Sequence, residues 1–404
     1  MIERYTLPEM GALWTEDNKF RTWLEVEIEA ARAMARYNII PRPAFKIIEK
    51  KARFNIDRIN QIEAEVNHDV IAFLTSVSES IGKEARYLHY GMTSSDMLDT
   101  SLGLTMKRAA ALIDRKITTV LKVIKGLAVK YKTTPCIGRT HGVLAEPTTV
   151  GLKFALWYTE LKRGHNRFRQ AAEAIAVGKL SGAVGNFANL DPRVESEVCR
   201  RLGLKPAEVS TQVVQRDRHA HYITALALLG SSLEKFATEI RNLQRTEIGE
   251  MGEGFTRSQK GSSAMPHKKN PITAERITGM ARLLRGYALT AMENIPLWHE
   301  RDIAHSSVER VIIPDSSIIA DYVLFKFTEL LRGLVINKKR MLENIYYHGG
   351  VVFSQRLLLK LADPVGSRDK AYRLVQKHGL AASEGKGSFR EMVKKDKELS
   401  LIHI

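Results

Sequence analysis

The sequence predicts an all-α protein built on long helices, and three observations carry that reading. Apolar residues recur at steps of three and four, the period of an amphipathic helix. No run alternates apolar and polar residues as a half-buried strand does, and no Asn-Gly or Asp-Gly turn joins two such runs. Several stretches of about 25 to 30 residues contain no proline, which exceeds the average globular helix and suits a bundle. In chain order, Phe20, Trp23, Leu24, Glu27, Ile28, Ala31, Met34 and Ala35 form the first helical stripe. Ile113, Ile117, Val120, Leu121, Ile124 and Leu127 form the second, inside a proline-free stretch from Ser101 to Tyr131. Tyr222 to Arg245 and Ile318 to Leu342 supply two more.

Breakers separate these helices at Pro41 and Pro43, at Gly91 to Asp96, at Gly138 to Pro147, at Gly182 to Pro192 and at Met251 to Pro271. The pattern predicts three helical domains: an N-terminal one over 1–92, a central bundle of long helices over 93–341, and a C-terminal one over 342–404. No repeat of 20 to 50 residues is visible, which sets solenoids aside.

Composition narrows the functional classes. With 404 residues, 44% hydrophobic and 26% charged, the chain has room for a substantial core and is not a disordered protein. Cys136 and Cys199 are its only cysteines, so a disulfide framework and a Cys-based metal cluster within one chain are excluded, and a cytoplasmic location is expected. Met1-Ile2-Glu3-Arg4-Tyr5 lacks the apolar core of a secretory signal, and the longest apolar stretch, Tyr222 to Gly230, is too short to cross a bilayer. No membrane partner is expected. Lys and Arg outnumber Asp and Glu by 62 to 45, a net charge of +17. That charge is scattered along the chain, whereas a nucleic-acid groove needs basic residues interleaved with exposed aromatics. A small anionic substrate fits better than DNA or RNA. No metal-binding spacing, phosphate-cradling loop or dinucleotide fingerprint occurs, so neither metal nor cofactor is expected.

The chemistry concentrates in the breaker segments. Gly261-Ser262-Ser263-Ala264-Met265-Pro266-His267-Lys268-Lys269-Asn270-Pro271 follows Gly249, Gly252 and Gly254, a glycine content suited to a mobile lid. Asn270 and Pro271 also make a good N-cap and first-turn pair for the helix that follows. Thr93-Ser94-Ser95-Asp96 presents hydroxyls before a long helix, where they can cap it or face a carboxylate. His141, in Arg139-Thr140-His141-Gly142, titrates near neutrality and suits a general acid. Arg301, Ser306 and Arg310 supply fixed positive charge and a hydroxyl, with Ser306 and Arg310 one turn apart on a helix.

The Gly261–Pro271 string resembles the signature loop of the aspartase/fumarase superfamily. Arg4-Tyr5, Asn67-His68-Asp69, Thr93-Ser94-Ser95-Asp96 and Gly138-Arg139-Thr140-His141-Gly142 extend the resemblance toward a branch that acts on succinylated purine nucleotides. That resemblance implies a homotetramer whose central bundles assemble a twenty-helix core, with active sites shared between subunits. It also implies a β-elimination that releases fumarate. Ser263 would be the base, His141 the acid, and Lys268 would stabilise negative charge. His68 would orient the acid or contact phosphate, and Glu275 would partner His141. Thr93 and Ser94 would hold the fumarate-forming part. Asn67, Asp69, His89, Gln212, Ser262 and Asn270 would be further substrate contacts, with Arg4, Tyr5, Arg301, Ser306 and Arg310 on the nucleotide side. The alternatives are another superfamily enzyme, such as an argininosuccinate lyase or a carboxymuconate cycloisomerase, or a non-catalytic crystallin-like relative. The chain ends earlier than is usual in the superfamily, which predicts a shortened third domain in which Leu401 and Ile402 need an apolar partner.

Overall fold

The structure is a computed structural model that describes residues 1–255 and 260–400; Leu401 and Ile402 lie outside them. Five long helices dominate: Ser94–Lys130, Val150–Ile175, Asp217–Gln244, Ile272–Glu293 and Ala304–Arg332. Shorter helices precede them at Pro8–Leu13, Glu16–Arg36, Arg42–Lys51, Ile56–Val66 and Asp69–Ile81, and Pro192–Leu202 falls between the second and third. Lys338–Ile345, Ser354–Val365, Arg368–Ser383 and Phe389–Lys395 follow. The all-α expectation therefore holds.

Contacts divide the chain into two compact units. The first comprises 1–120, 161–234 and 276–327, and the second 121–160, 235–275 and 328–404. In the first, Phe20 stacks on Phe73 at 5.7 Å, and Trp23 meets both rings edge-on at 5.2 and 5.4 Å. Phe20 and Trp23 lie on the stripe of Glu16–Arg36, whose start is capped by Thr15 accepting from the Asn18 N–H, and Phe73 lies on Asp69–Ile81. In the second unit, Trp157 stacks on Phe236 at 4.9 Å, and Leu361, Ala371, Val375, Ala382 and Phe389 close a small C-terminal core.

Two local expectations are corrected. The stretch from Gly138 to Pro147 is not a plain loop: Pro135–Thr140 and Val143–Thr149 pair antiparallel around a two-residue turn. His141 (φ 56°) and Gly142 (φ 79°) supply the two left-handed residues that a type I′ hairpin turn requires. Gly138 and Pro147 interrupt the period-2 pattern, and the pairing register shifts between Ile137 and Arg139, which hid the strands from a search for alternation. The helix expected over 318–342 runs instead from Ala304 to Arg332 and stops at Gly333. Val335–Ile336 then pairs with Met251–Gly252, and Lys338–Ile345 starts afresh behind an Asn337 cap. Leu334, Val335 and Ile336 continue the apolar run across the break, so composition did not reveal it.

Two glycines of Ser94–Lys130 sit in opposite surroundings. A Cβ at Gly103 would lie 2.3 Å from the Val177 carbonyl oxygen, whereas at Gly126 it would meet nothing within 4 Å. Thermal denaturation should therefore separate them: Gly126→Ala stabilises by about 0.5–1 kcal/mol through helix propensity, while Gly103→Ala destabilises.

Candidate active site

In the first unit, the residues expected to touch substrate are fixed by a short set of polar contacts. Asn67 ends Ile56–Val66 in the left-handed conformation, and His68 caps Asp69–Ile81 by accepting the Ile71 N–H on Nδ1 at 3.3 Å. His68 therefore stands exposed between two helices rather than on one. Asp69 accepts from Arg310 at 2.7 Å. Burial alone would raise the Asp69 carboxyl, but Arg310 and Lys19 together hold it below the usual carboxylate range. Arg301 donates to the Gln212 side-chain oxygen at 3.0 Å, while its Nε is buried without a partner. Ser306 and Arg310 do lie one turn apart on Ala304–Arg332. Tyr5 meets the Tyr322 ring edge-on at 5.3 Å, next to an exposed Arg4. A cavity of about 400 Å³ opens in this unit, with Arg301, Ser306 and Arg310 in its wall beside Ser95, Trp14 and Lys19.

The longest helix starts at Ser94, and the carboxylate of Asp96, three residues after Thr93, accepts the Thr93 N–H at 2.8 Å. This is the reciprocal half of a capping box, with an aspartate at the third position. His89 is held at φ 56° by Glu27, which accepts from its backbone N–H at 3.0 Å and pairs with Nδ1 at 2.6 Å. Burial would lower the imidazole pKa, but the Glu27 charge and hydrogen bond outweigh it and raise the value above 6.5.

In the second unit, His141 is exposed at the hairpin turn. Two strand residues earlier, Arg139 forks onto the fully buried Glu250 carboxylate at 2.6 and 3.1 Å, and Asn344 donates to the same carboxylate at 2.7 Å. The signature loop is closed at its neck by side chains. Asn270 Nδ2 donates to the Gly261 carbonyl at 2.9 Å, so it binds the loop rather than capping the helix as expected. Gln244 donates to the Lys269 carbonyl at 3.0 Å and accepts the Glu253 N–H at 2.9 Å. The helix cap comes from Glu253, whose carboxylate accepts the Thr273 and Ala274 N–H groups at 3.2 and 2.6 Å. Within the loop, the Ser262 hydroxyl accepts the Ala264 and Met265 N–H groups, whereas Ser263 and Lys268 are exposed. Glu275 lies exposed in the first turn of Ile272–Glu293. Gly254 serves close packing rather than mobility: a Cβ there would sit 2.3 Å from the Gly333 carbonyl oxygen.

Sequence reasoning missed a buried charged framework in the first unit. The Arg216 guanidinium forks onto Asp99 at 2.7 and 2.9 Å and onto Glu309 at 2.9 and 3.1 Å. Burial works against Asp99 ionising, yet Arg216 draws its pKa down to about 2; for Glu309 burial wins and raises the value. His305, in the cavity wall, is pushed down to about 4 by burial and the Arg216 charge, and stays neutral near pH 7. The signal was an acid at helix positions otherwise facing inward, as in Ser95-Asp96-Met97-Leu98-Asp99. Burial raises the Cys136 and Cys199 thiols to about 11 and 12, which makes both poor nucleophiles. Among the described residues, no group of three or more His, Cys, Asp or Glu could hold a metal ion, and no helix is long and apolar enough to cross a membrane.

The chain that carries these residues matches a known class of lyases along most of its length. The lyase family model matches residues 3–286, and the model of the adenylosuccinate lyase C-terminus matches residues 350–403. The crystal structure of a fumarate lyase from Mesorhizobium sp. BNC1 superposes with a TM-score of 0.90 at 28% identity, over 99% of this chain and 92% of that one. Adenylosuccinate lyase of Bacillus subtilis is 50% identical over 99% of this chain and 93% of its own length, and that of Synechocystis over 100% and 94%, also at 50%. The chain belongs to the adenylosuccinate lyase family.

The His89–Glu27 pair yields a pH-dependent test. Because the folded pKa of His89 lies above its unfolded value, the pair's charge contribution is fully present below about pH 6.5 and is lost as pH rises through the folded value. Glu27→Gln should lower the His89 pKa in an NMR titration. The stability gap between wild type and variant should narrow over the same rise in pH.

Proposed function

We propose that the chain is a carbon–nitrogen lyase that eliminates fumarate from adenylosuccinate, leaving AMP, and from the succinylated imidazole carboxamide ribotide, leaving the free amide. The observation that carries this reading is the 50% identity to adenylosuccinate lyases along almost the whole chain. Within it, the eleven residues Gly261–Pro271 supply the reactive loop.

The base removes a proton from the succinyl carbon beside a carboxylate, and the electron pair moves into that carboxylate as a dianionic aci-acid. The pair then returns to form the carbon–carbon double bond as the C–N bond breaks, and the departing nitrogen takes a proton from the acid. We assign the base to Ser263 and the acid to His141. Ser263 is assigned on the family resemblance and on its exposure, while the Ser262 hydroxyl accepts two backbone N–H groups of the loop. A serine alkoxide needs a strong local field, and Lys268, exposed on the same loop, together with backbone N–H groups of the loop, would provide it and stabilise the aci-carboxylate. Glu275 would pair with His141, and His68 would orient it or meet phosphate.

Thr93 and Ser94 would hold the leaving fumarate, with Asn67, Asp69, His89, Gln212 and Asn270 around the substrate. The partly unpaired Arg301, together with Ser306, Arg310, Arg4 and Tyr5, suits the nucleotide phosphate. We further propose a homotetramer in which each active site draws on more than one subunit, the 93–341 domain forming its helical core. The two unpaired, buried thiols fit a reducing cytoplasm.

Fumarate release from adenylosuccinate, followed by ultraviolet absorbance, tests the assignment. Replacing His141 by alanine should lower kcat by about 10²–10⁴-fold, as expected for a general acid. Ser263→Ala should lose activity at least as severely, while Ser262→Ala retains more. Substantial turnover by Ser263→Ala would remove that residue from the role.

A further inference from the structure

We propose that Lys179, paired with Asp96, is a positioning residue that sets the Thr93-Ser94 segment, which holds the succinyl end of the substrate, against the Gln212 segment; this rests on the reading of Thr93, Ser94 and Gln212 as substrate contacts. Lys179 has no exposed surface. Its ammonium donates to Asp96 Oδ1 at 2.5 Å, to the Gln212 carbonyl at 2.9 Å and to the Gly182 carbonyl at 3.2 Å. A lysine has three N–H donors and no acceptor, so each proton is committed to a different segment. The lysine backbone is pinned in turn: Thr100 Oγ1 accepts its N–H at 3.0 Å and donates to its carbonyl at 2.9 Å.

Asp96 completes the link. Oδ1 also accepts the Ser181 and Gly182 N–H groups at 3.0 and 3.2 Å, while Oδ2 accepts the Thr93 N–H at 2.8 Å. One buried ion pair therefore joins the start of the Thr93-Ser94 segment to the backbone of Gln212, more than a hundred residues away in sequence. Gln212 in turn accepts from Arg301 through its side chain. Lys179 itself offers no proton to a ligand. Its effect passes through the placement of Thr93, Ser94 and Gln212, and a shift of a few tenths of an ångström there loosens the grip on the carboxylates that become fumarate.

The test uses the full chain with Lys179→Met, Lys179→Arg and the double variant Lys179→Met/Asp96→Asn, which leaves no buried charge unpaired. Folding and assembly are checked by circular dichroism and size-exclusion chromatography. The KM for adenylosuccinate and the product-inhibition constants of fumarate and AMP are then measured. We expect the folded variants to bind fumarate about ten- to a hundredfold more weakly, the loss of one or two hydrogen bonds to a charged group. KM should rise with it, and AMP inhibition should change much less. A merely structural pair would leave both products bound as in wild type, or weaken both alike; either result overturns the proposal, as does failure of all three variants to fold. Thr93→Ala and Ser94→Ala are assayed in parallel. If they leave fumarate inhibition unchanged, the contact reading itself has failed, which is distinct from a failure confined to Lys179.

Discussion

An ammonium group sealed from water must find an acceptor for every proton, because an unpaired buried charge is too costly to keep. Lys179 meets that constraint by drawing on a carboxylate and two carbonyls from separate stretches of chain. Arg216 obeys the same rule nearby, with its guanidinium held between Asp99 and Glu309. Asp96 and Asp99 both stand on the first turns of Ser94–Lys130, so the start of the longest helix is where buried positive charge is neutralised. Apolar stripes set which faces of the helices are covered. These ionic contacts decide how the irregular segments between helices are stacked, and Thr93 and Gln212, both assigned to substrate, lie on such segments.

The second unit solves a different problem, that of presenting reactive groups at the surface of a rigid support. His141 sits on a two-residue turn whose left-handed conformation is set by the hairpin, not by the histidine. Arg139 in the adjoining strand is anchored to a carboxylate with no exposed surface. The serine loop is likewise held at its neck by Gln244 and Asn270, so its base is ordered by side-chain amides while Ser263 and Lys268 face outward.

How much of this was legible depends on how local the signal was. The helices of Glu16–Arg36 and Ser94–Lys130 announced themselves because apolar periodicity is a property of neighbouring residues. Motif residues such as Ser263, His141 and Arg301 were recognised from short strings. The hairpin was hidden because Gly138 and Pro147 break the alternation, and the gap after Arg332 because apolar residues continue through it. Lys179, Glu253, Glu250 and Arg216 were invisible for a deeper reason. Each acquires its role only from partners brought close by folding, so no window of sequence around it carries the information. The replacement of Asn270 by Glu253 as helix cap is the same lesson at short range: the better acceptor arrived from 20 residues upstream of Thr273.

Gln244 uses one amide to tie together both arms of the serine loop, accepting from Glu253 and donating to Lys269. One side chain thus fixes the separation of the two arms from which the exposed Ser263 and Lys268 are presented. Both ends of the loop therefore share one amide as their anchor, and a change at Gln244 would reach the tip without touching it.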